Sequence, residues 1–181
     1  KRIHILKFRN HKNIALDWYY GLGFKKESLR LRQHAPDERA HYAKDAWDIE
    51  YNTPFAGWIE AWGIHHRGVW VLKRHSEYSG EDLSYYDDET KKRFIPWDIE
   101  CSGGVDRAVL ALLLSVYTEE NKDGEIRSYL KLKPSIAPVI CAVSPLLKNK
   151  PELVEYANTK VFAPLKVEFG RVAWADNGNI G

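Results

Sequence analysis

The 181-residue sequence has no methionine, only two cysteines, no secretory apolar stretch at its start and almost no charge imbalance. With no methionine even at position 1, where the chain opens on Lys1, the expectation is a piece cut from a longer polypeptide. Cys101 and Cys141 stand apart, with no C-x-x-C spacing, so neither a disulfide framework nor a cysteine zinc site is indicated and a reducing, cytoplasmic setting fits. Lys plus Arg number 27 against 25 Asp plus Glu, a formal charge of +2 that excludes a polybasic or polyacidic tail. A mean hydropathy of −0.48 argues against a bilayer-embedded chain. What remains, 44% hydrophobic and 29% charged residues, is the composition of a globular protein with one full domain, or one and part of another.

Ile14, Trp18 and Leu22 recur at steps of four beside Ala15 and Tyr19, predicting a helix over 13–24 that Gly21 and Gly23 close. Residues 27–34 (ESLRLRQH) alternate leucine with Arg30 and Arg32, the period of a half-buried strand with a basic face. The string 46–61 reads as two strands around an Asn52-Thr53-Pro54 turn, and 65–88 as irregular structure apart from an apolar patch at 69–72. Residues 94–99 (FIPWDI) form a strand candidate broken by Ser102-Gly103-Gly104, and 105–117 (VDRAVLALLLSVY) a helix with almost no polar face, expected to be central. A charged, flexible segment at 118–128 precedes a domain boundary near 129–137, then a strand at 139–144, a helix from Pro151 that Pro164 kinks or ends, and a second strand at 171–174. That β-α-β order opens a parallel α/β domain. The final string, Ala175 to Gly181, is turn-rich and connects to nothing.

Two segments place an acid beside glycines: GWIEAWGIHHRG (57–68) and IECSGGVDR (99–107). In the second, glycines let a ligand approach the backbone, and Arg107 in the first turns of a helix suits two-pronged phosphate binding. Spacing alone leaves an equal alternative, an ion pair between Glu100 and Arg107 at a strand–helix corner. Arg30, Arg32, His34 and His41 read as a solvated polar face, and His65, His66 and His75 lack the spacing and acidic partner of a zinc site, which leaves them loop or surface roles.

The segments from Leu29 through His41-Tyr42-Ala43, Asp48, Gly57-Trp58-Ile59-Glu60, Leu72 to His75, and Ile99 to Leu114, in that order, resemble glycyl-tRNA synthetase, a class II aminoacyl-tRNA synthetase. IECSGGVDRAVLALL is similar to that family's third class II signature. IAPVICAVSPL, NKPELVEYA and DNGNIG resemble the opening of its anticodon-binding domain. The resemblance implies an α+β fold: residues 1–130 as the C-terminal half of an antiparallel-sheet catalytic domain, and 131–181 as the start of an α/β anticodon-binding domain. It implies ATP-dependent activation of glycine to glycyl-adenylate, transfer to tRNA(Gly), magnesium as the cation and a homodimer in the intact enzyme. Carried over by position, Arg107 binds the γ-phosphate end of ATP and lies against the adenine, and Glu60, Ala61, Gly104, Val105 and Asp106 belong to the ATP site. Glu60 helps hold magnesium, while Glu100 and Ser102 engage the amino group of glycine.

The resemblance also carries departures. Cys101 stands where proline is usual, Gly103 where alanine is common, Ala61 in place of a larger aliphatic, and Val69 and Val71 where aspartates are expected. Nothing resembles the first class II motif, which builds the dimer, or the second, which supplies the arginine for the α-phosphate. The expectation is therefore a fragment without the N-terminal half of the catalytic domain and inactive by itself. The alternative is a non-catalytic, synthetase-like module that binds nucleic acid or serves as an accessory subunit.

Overall fold

A computed structural model describes residues 2–175, with side chains described at Phe8 and from Asn10 onward; Lys1 and the end of the turn-rich string, 176–181, lie outside the described residues. The chain divides into two compact units, Lys1–Lys131 and Leu132–Gly181. In chain order the first unit contains α1 (Arg2–Leu22), β1 (Leu29–Gln33), β2 (Asp45–Thr53), β3 (Gly57–Gly68), α2 (Trp70–Ser79), β4 (Tyr85–Asp87), β5 (Lys92–Phe94), β6 (Asp98–Ser102), α3 (Val105–Val116), β7 (Tyr117–Lys122) and β8 (Glu125–Leu130). Among the described residues, no helix is long and apolar enough to cross a membrane.

The centre of this unit is a four-stranded sheet in the order β1-β2-β3-β6, antiparallel throughout. Residues opposed in an antiparallel pair share a face, so the Arg30–Glu50 and Arg32–Asp48 pairs define a polar side and Leu29–Tyr51 and Leu31–Ile49 an apolar one. The core forms on the apolar side, where Phe8 and Tyr19 of α1 and Ala111 of α3 pack with Phe24, Leu29, Ile49, Tyr51, Ala61 and Ile64. The other side is polar and charged.

One irregularity sets what that side displays. Glu50 opposes Glu60, yet Ile49 opposes Trp62, so Ala61 is an extra residue in β3. Because side chains alternate, this bulge changes the parity of the strand: Trp58 and Glu60 before it, and Gly63 and His65 after it, face the same way. A bulged residue loses its ladder partner, and the Tyr19 hydroxyl, fully buried under α1, donates to the Ala61 carbonyl at 3.2 Å. A second irregularity leaves Arg67 extra between the His66–Ile99 and Gly68–Asp98 pairs.

Several elements differ from expectation. α1 begins at Arg2, and its buried stripe runs through Phe8 and Tyr19, while Ile14 and Trp18 are 65% and 48% exposed, because Tyr19 rather than Trp18 reaches the bulge. The 65–88 segment is ordered: β3 runs on to Gly68, and α2 follows until Gly80 (φ 76°) ends it with its amide on the Ser76 carbonyl. The strand foreseen at 94–99 divides into β5 and β6 around Pro96, so Ser102 belongs to a strand. α3 buries only Ala111 and Val116; Val105, Val109, Leu110 and Leu113 stay exposed, so it lies on the rim of the core rather than at its centre. The charged 118–128 segment is the β7–β8 hairpin, turned by Asp123 (φ 57°) and Gly124 (φ 90°). Positive φ at both central residues is what a tight hairpin turn requires.

In the second unit β9 (Cys141–Val143) and β10 (Val172–Trp174) pair in parallel. The connection between them includes α4 (Pro151–Tyr156), a π-helical segment (Ala157–Phe162) and α5 (Ala163–Phe169). Pro164 does not end this helical run: the backbone stays helical through Phe162 and Ala163, and the wider π turns, whose hydrogen bonding is shifted by a residue, come immediately before the proline. Phe162 packs edge-on against Trp174, tying helix to strand.

The bulge contact is testable by unfolding in urea. Tyr19→Phe removes the donor from a buried carbonyl and is expected to cost about 1–3 kcal/mol, whereas Tyr19→Ala also opens a cavity and is expected to cost about 3–5 kcal/mol. A Tyr19→Phe chain as stable as the parent would show the hydroxyl to be idle.

Candidate active site

The polar side of the sheet is a field of charge. Arg30 donates to Glu50 at 2.6 Å and lies 4.3 Å over the Trp58 ring; Arg32 is held by Glu38 and lies 3.9 Å from Glu50. The Ala35 amide and then Arg32 keep the Glu38 carboxyl below the usual carboxylate range. His34, just beyond β1, lies 2.6 Å from Asp48. Asp48 and Glu50 are 5% and 8% exposed, so these acids need the partners beside them. Arg30, Arg32 and His34 thus stand on a face that is polar as expected, with Arg30 exposed, and each is engaged by an acid. His41 stacks edge-on against Trp70 at 4.8 Å.

Across the bulge, Glu60 and Arg107 meet. Arg107 Nη1 donates to the Glu60 backbone carbonyl at 2.8 Å and lies 3.8 Å from its carboxylate. Arg107 comes from the first turns of α3, whose N-cap is Gly104 and whose first amides have no capping side chain. Val105, 76% exposed, and Asp106, also exposed, complete that helix start. The free amides and the dipole make it attractive to an anion.

Glu100 and Ser102 project from β6, opposite His65 and Gly63 respectively. Glu100 is ion-paired to Arg67, the extra residue of the second bulge, whose guanidinium also lies 4.6 Å over the Tyr42 ring. The structure therefore does not pair Glu100 with Arg107; each has its own partner, because α3 carries Arg107 back over β3. Ala61 differs most from its expected place: it is 2% exposed and belongs to the core, since the extra residue turns inward at the bulge. Partial burial, and then the neighbouring Glu100 charge, push the Cys101 thiol above its usual value.

Sequence reasoning did not single out Arg67 or the grouping of His34, Asp48 and His65. The arginine stands within GWIEAWGIHHRG, two residues after His65 and on the same face by alternation, but only the β3–β6 pairing shows that Glu100 lies opposite His65 and within its reach. His65 and His66 are strand residues, not loop residues. His66 is buried against Phe8 and Trp97, with its Nδ1 accepting from the Gly68 amide at 3.1 Å. Val69 forms the N-cap position of α2 and Val71 lies inside that helix.

Two glycines set clearances here. A Cβ on Gly63 would lie 3.2 Å from His65 Nε2 and 3.5 Å from Glu60 Oε1, so the space over Gly63 is walled by those side chains. A Cβ on Gly103 would lie 2.6 Å from the Trp62 ring, which explains the glycine there. For a cation, Glu60 offers the better carboxylate: it is half exposed, and the firm bond from Arg107 goes to its carbonyl rather than to its oxygens. Oxygen donors of this sort suit magnesium.

No protein-family model matches the chain. It is 44% identical over 174 residues to the glycine–tRNA ligase of Caldanaerobacter subterraneus subsp. tengcongensis, covering 96% of this chain and 36% of that protein. It is also 44% identical over 171 residues to the glycine–tRNA ligase of Geobacillus kaustophilus, covering 94% and 36%. The chain thus spans about a third of the length of these curated relatives. Among solved structures it is similar to Giardia lamblia prolyl-tRNA synthetase in complex with prolyl-adenylate, with a TM-score of 0.63 and 19% identity, covering 96% of this chain and 33% of that one. At that identity the likeness is one of fold.

The Trp62–Gly103 clearance gives a double-mutant test. Gly103→Ala is expected to destabilise by about 1–3 kcal/mol through overpacking, and to cost under about half of that in a Trp62→Val background, measured by thermal or urea unfolding. Equal costs in both backgrounds would show that the ring is not what excludes the side chain.

Proposed function

From a chain similar over 96% of its length to glycine–tRNA ligases, with the mixed helix and antiparallel-sheet fold of class II aminoacyl-tRNA synthetases, we propose that this polypeptide supplies part of the adenylate-forming site of a glycine–tRNA ligase. The carrying observation is the shared polar sheet face, on which the Glu60–Arg107 contact stands beside the Arg67–Glu100 pair and Ser102. The reaction has two steps. The carboxylate of glycine attacks the α-phosphorus of ATP and pyrophosphate leaves; then the glycyl group passes to the terminal adenosine of tRNA(Gly).

The residues divide this work by charge. Arg107, with a fork of donors, takes the phosphate tail of ATP, and the unsatisfied amides behind Gly104 extend the positive end of α3 toward the same anion. Glu60 would hold magnesium, which would supply positive charge against the phosphates. Glu100 and Ser102 receive the ammonium of glycine. Arg67 balances Glu100 before substrate arrives and offers a cation to the substrate carboxylate, as a zwitterion requires. A substrate without a side chain leaves size as the selecting property, and the narrow clearance over Gly63 favours the smallest amino acid. The remaining sequence of the relatives' length would add the α-phosphate arginine and the dimer contacts. The second unit would open the anticodon-binding domain.

The reading predicts binding without turnover. Titration of the 181-residue chain with ATP and magnesium should show binding that Arg107→Ala weakens about tenfold or more, roughly 1.4 kcal/mol, and that Arg107→Lys does not restore, since the planar fork is lost. Glycine-dependent ATP–pyrophosphate exchange on the same chain should stay at background. ATP affinity unchanged by Arg107→Ala would overturn the nucleotide site, and RNA binding without ATP binding would favour the accessory-module alternative.

A further inference from the structure

His34, Asp48 and His65 come from three successive strands or strand ends and gather on the polar side of the sheet, with one ligating atom from each within 4.8 Å of the others. His34 Nε2 lies 2.6 Å from Asp48 Oδ2, and His65 Nε2 lies 3.8 Å from Asp48 Oδ1. A hydrogen bond accounts for the first contact only, since 3.8 Å exceeds hydrogen-bonding distance. Asp48 Oδ1 and His65 Nε2 are both buried without a hydrogen-bond partner among the described residues, and Asp48 as a whole is only 5% exposed. Two unpaired groups facing one another across that gap, a carboxylate oxygen and an imidazole nitrogen, are complementary to a positive ion. At 3.8 Å they do not hydrogen-bond to each other.

We propose that His34, Asp48 and His65 form a binding site for a divalent transition metal of the zinc class. Two imidazole nitrogens and one carboxylate oxygen select zinc, cobalt or nickel over magnesium or calcium, which prefer all-oxygen surroundings. Donor atoms on a tetrahedral zinc with bonds of about 2.0–2.2 Å stand roughly 3.3–3.5 Å apart. With one ligand atom from each residue the three donors already lie within 4.8 Å of one another, so side-chain rotation that draws them together seats the ion. Three protein ligands leave one coordination position, directed to the side where the two histidines are partly exposed (21% and 25%).

The surroundings allow the site. The positive charge nearest Asp48 on the sheet is Arg32, its register partner, and Glu38 and Glu50 already engage that guanidinium. Glu100, opposite His65, is taken up by Arg67. Gly63 is the register partner of Asp48, and its missing side chain lets the His65 ring lean over, since a Cβ there would meet Nε2 at 3.2 Å. The site needs no ATP, glycine or tRNA, so it stands or falls apart from the ligase reading.

The purified 181-residue chain, stripped with chelator, is titrated with Zn(II) and with Co(II). One equivalent is expected to bind, with cobalt showing the intense visible bands of four- or five-coordination, and zinc is expected to shift the imidazole nitrogen resonances of His34 and His65 but not that of His75. His65→Ala and Asp48→Asn should each weaken zinc binding by at least about tenfold, while His75→Ala, in α2, leaves it unchanged. His34→Ala, at a strand end, provides a third variant should Asp48→Asn fail to fold. Binding equally strong in His65→Ala, a weak octahedral cobalt spectrum, or unshifted His34 and His65 resonances would each overturn the site.

Discussion

The chemistry of this chain depends on a hydroxyl meeting a backbone carbonyl beneath a sheet. Ala61 is one residue too many for the β2–β3 pairing, and its carbonyl is answered by Tyr19 from α1. At the neighbouring position, Arg107 of α3 donates to the carbonyl of the preceding residue, Glu60. A helix from each flank of the sequence thus fastens onto one bulge. The parity change that results is why a carboxylate at 60 and an imidazole at 65 share a surface, although an unbroken strand would turn them to opposite sides.

The polar face is organised by pairing rather than by exposure. Asp48 and Glu50 are nearly as buried as core residues, a costly position for carboxylates without partners. Glu50 lies beside two arginines, and Asp48 lies against His34 with one oxygen left over. Glu60 and Glu100, nearer the solvent, have one arginine each. The deeply seated pairs give the sheet a fixed electrostatic floor, and the outer pairs can exchange a protein partner for a ligand.

Much of this was legible in the chain. The alternation of leucine and arginine from Leu29 to Gln33 reads directly as a strand with one basic face, and the Gly103-Gly104 break before an apolar run locates the start of α3. Glu100 and Arg107 stand out in the glycine-flanked IECSGGVDR segment, while the roles of Glu60 and Ser102 follow from the family resemblance; the four come from β3, β6 and α3. Other features left weaker traces. β7 and β8 are charged and exposed almost throughout, so no apolar alternation marks them, and Asp123-Gly124 was their single signal. Gly68 and Gly80 suggested a loop, whereas one leaves a bulged strand and the other caps a helix. Strand register is not written in any local pattern, so neither the meeting of Arg67 with Glu100 across β3 and β6 nor the approach of His65 to Asp48 across β2 and β3 could be foreseen.

The extra residue in β3 also bears on how such a sheet can change over time. Exchanging one amino acid for another at position 61 alters volume, but losing the position altogether would restore strict alternation and rotate everything on one side of it by half a turn, sending acids inward and aliphatics outward. Descendants of this chain can experiment freely with side-chain chemistry along the strand, while its length is held almost as a frame is held in a coding sequence. Length can change with least disturbance in the connections, such as residues 54–56 between β2 and β3, where no residue has a face to keep.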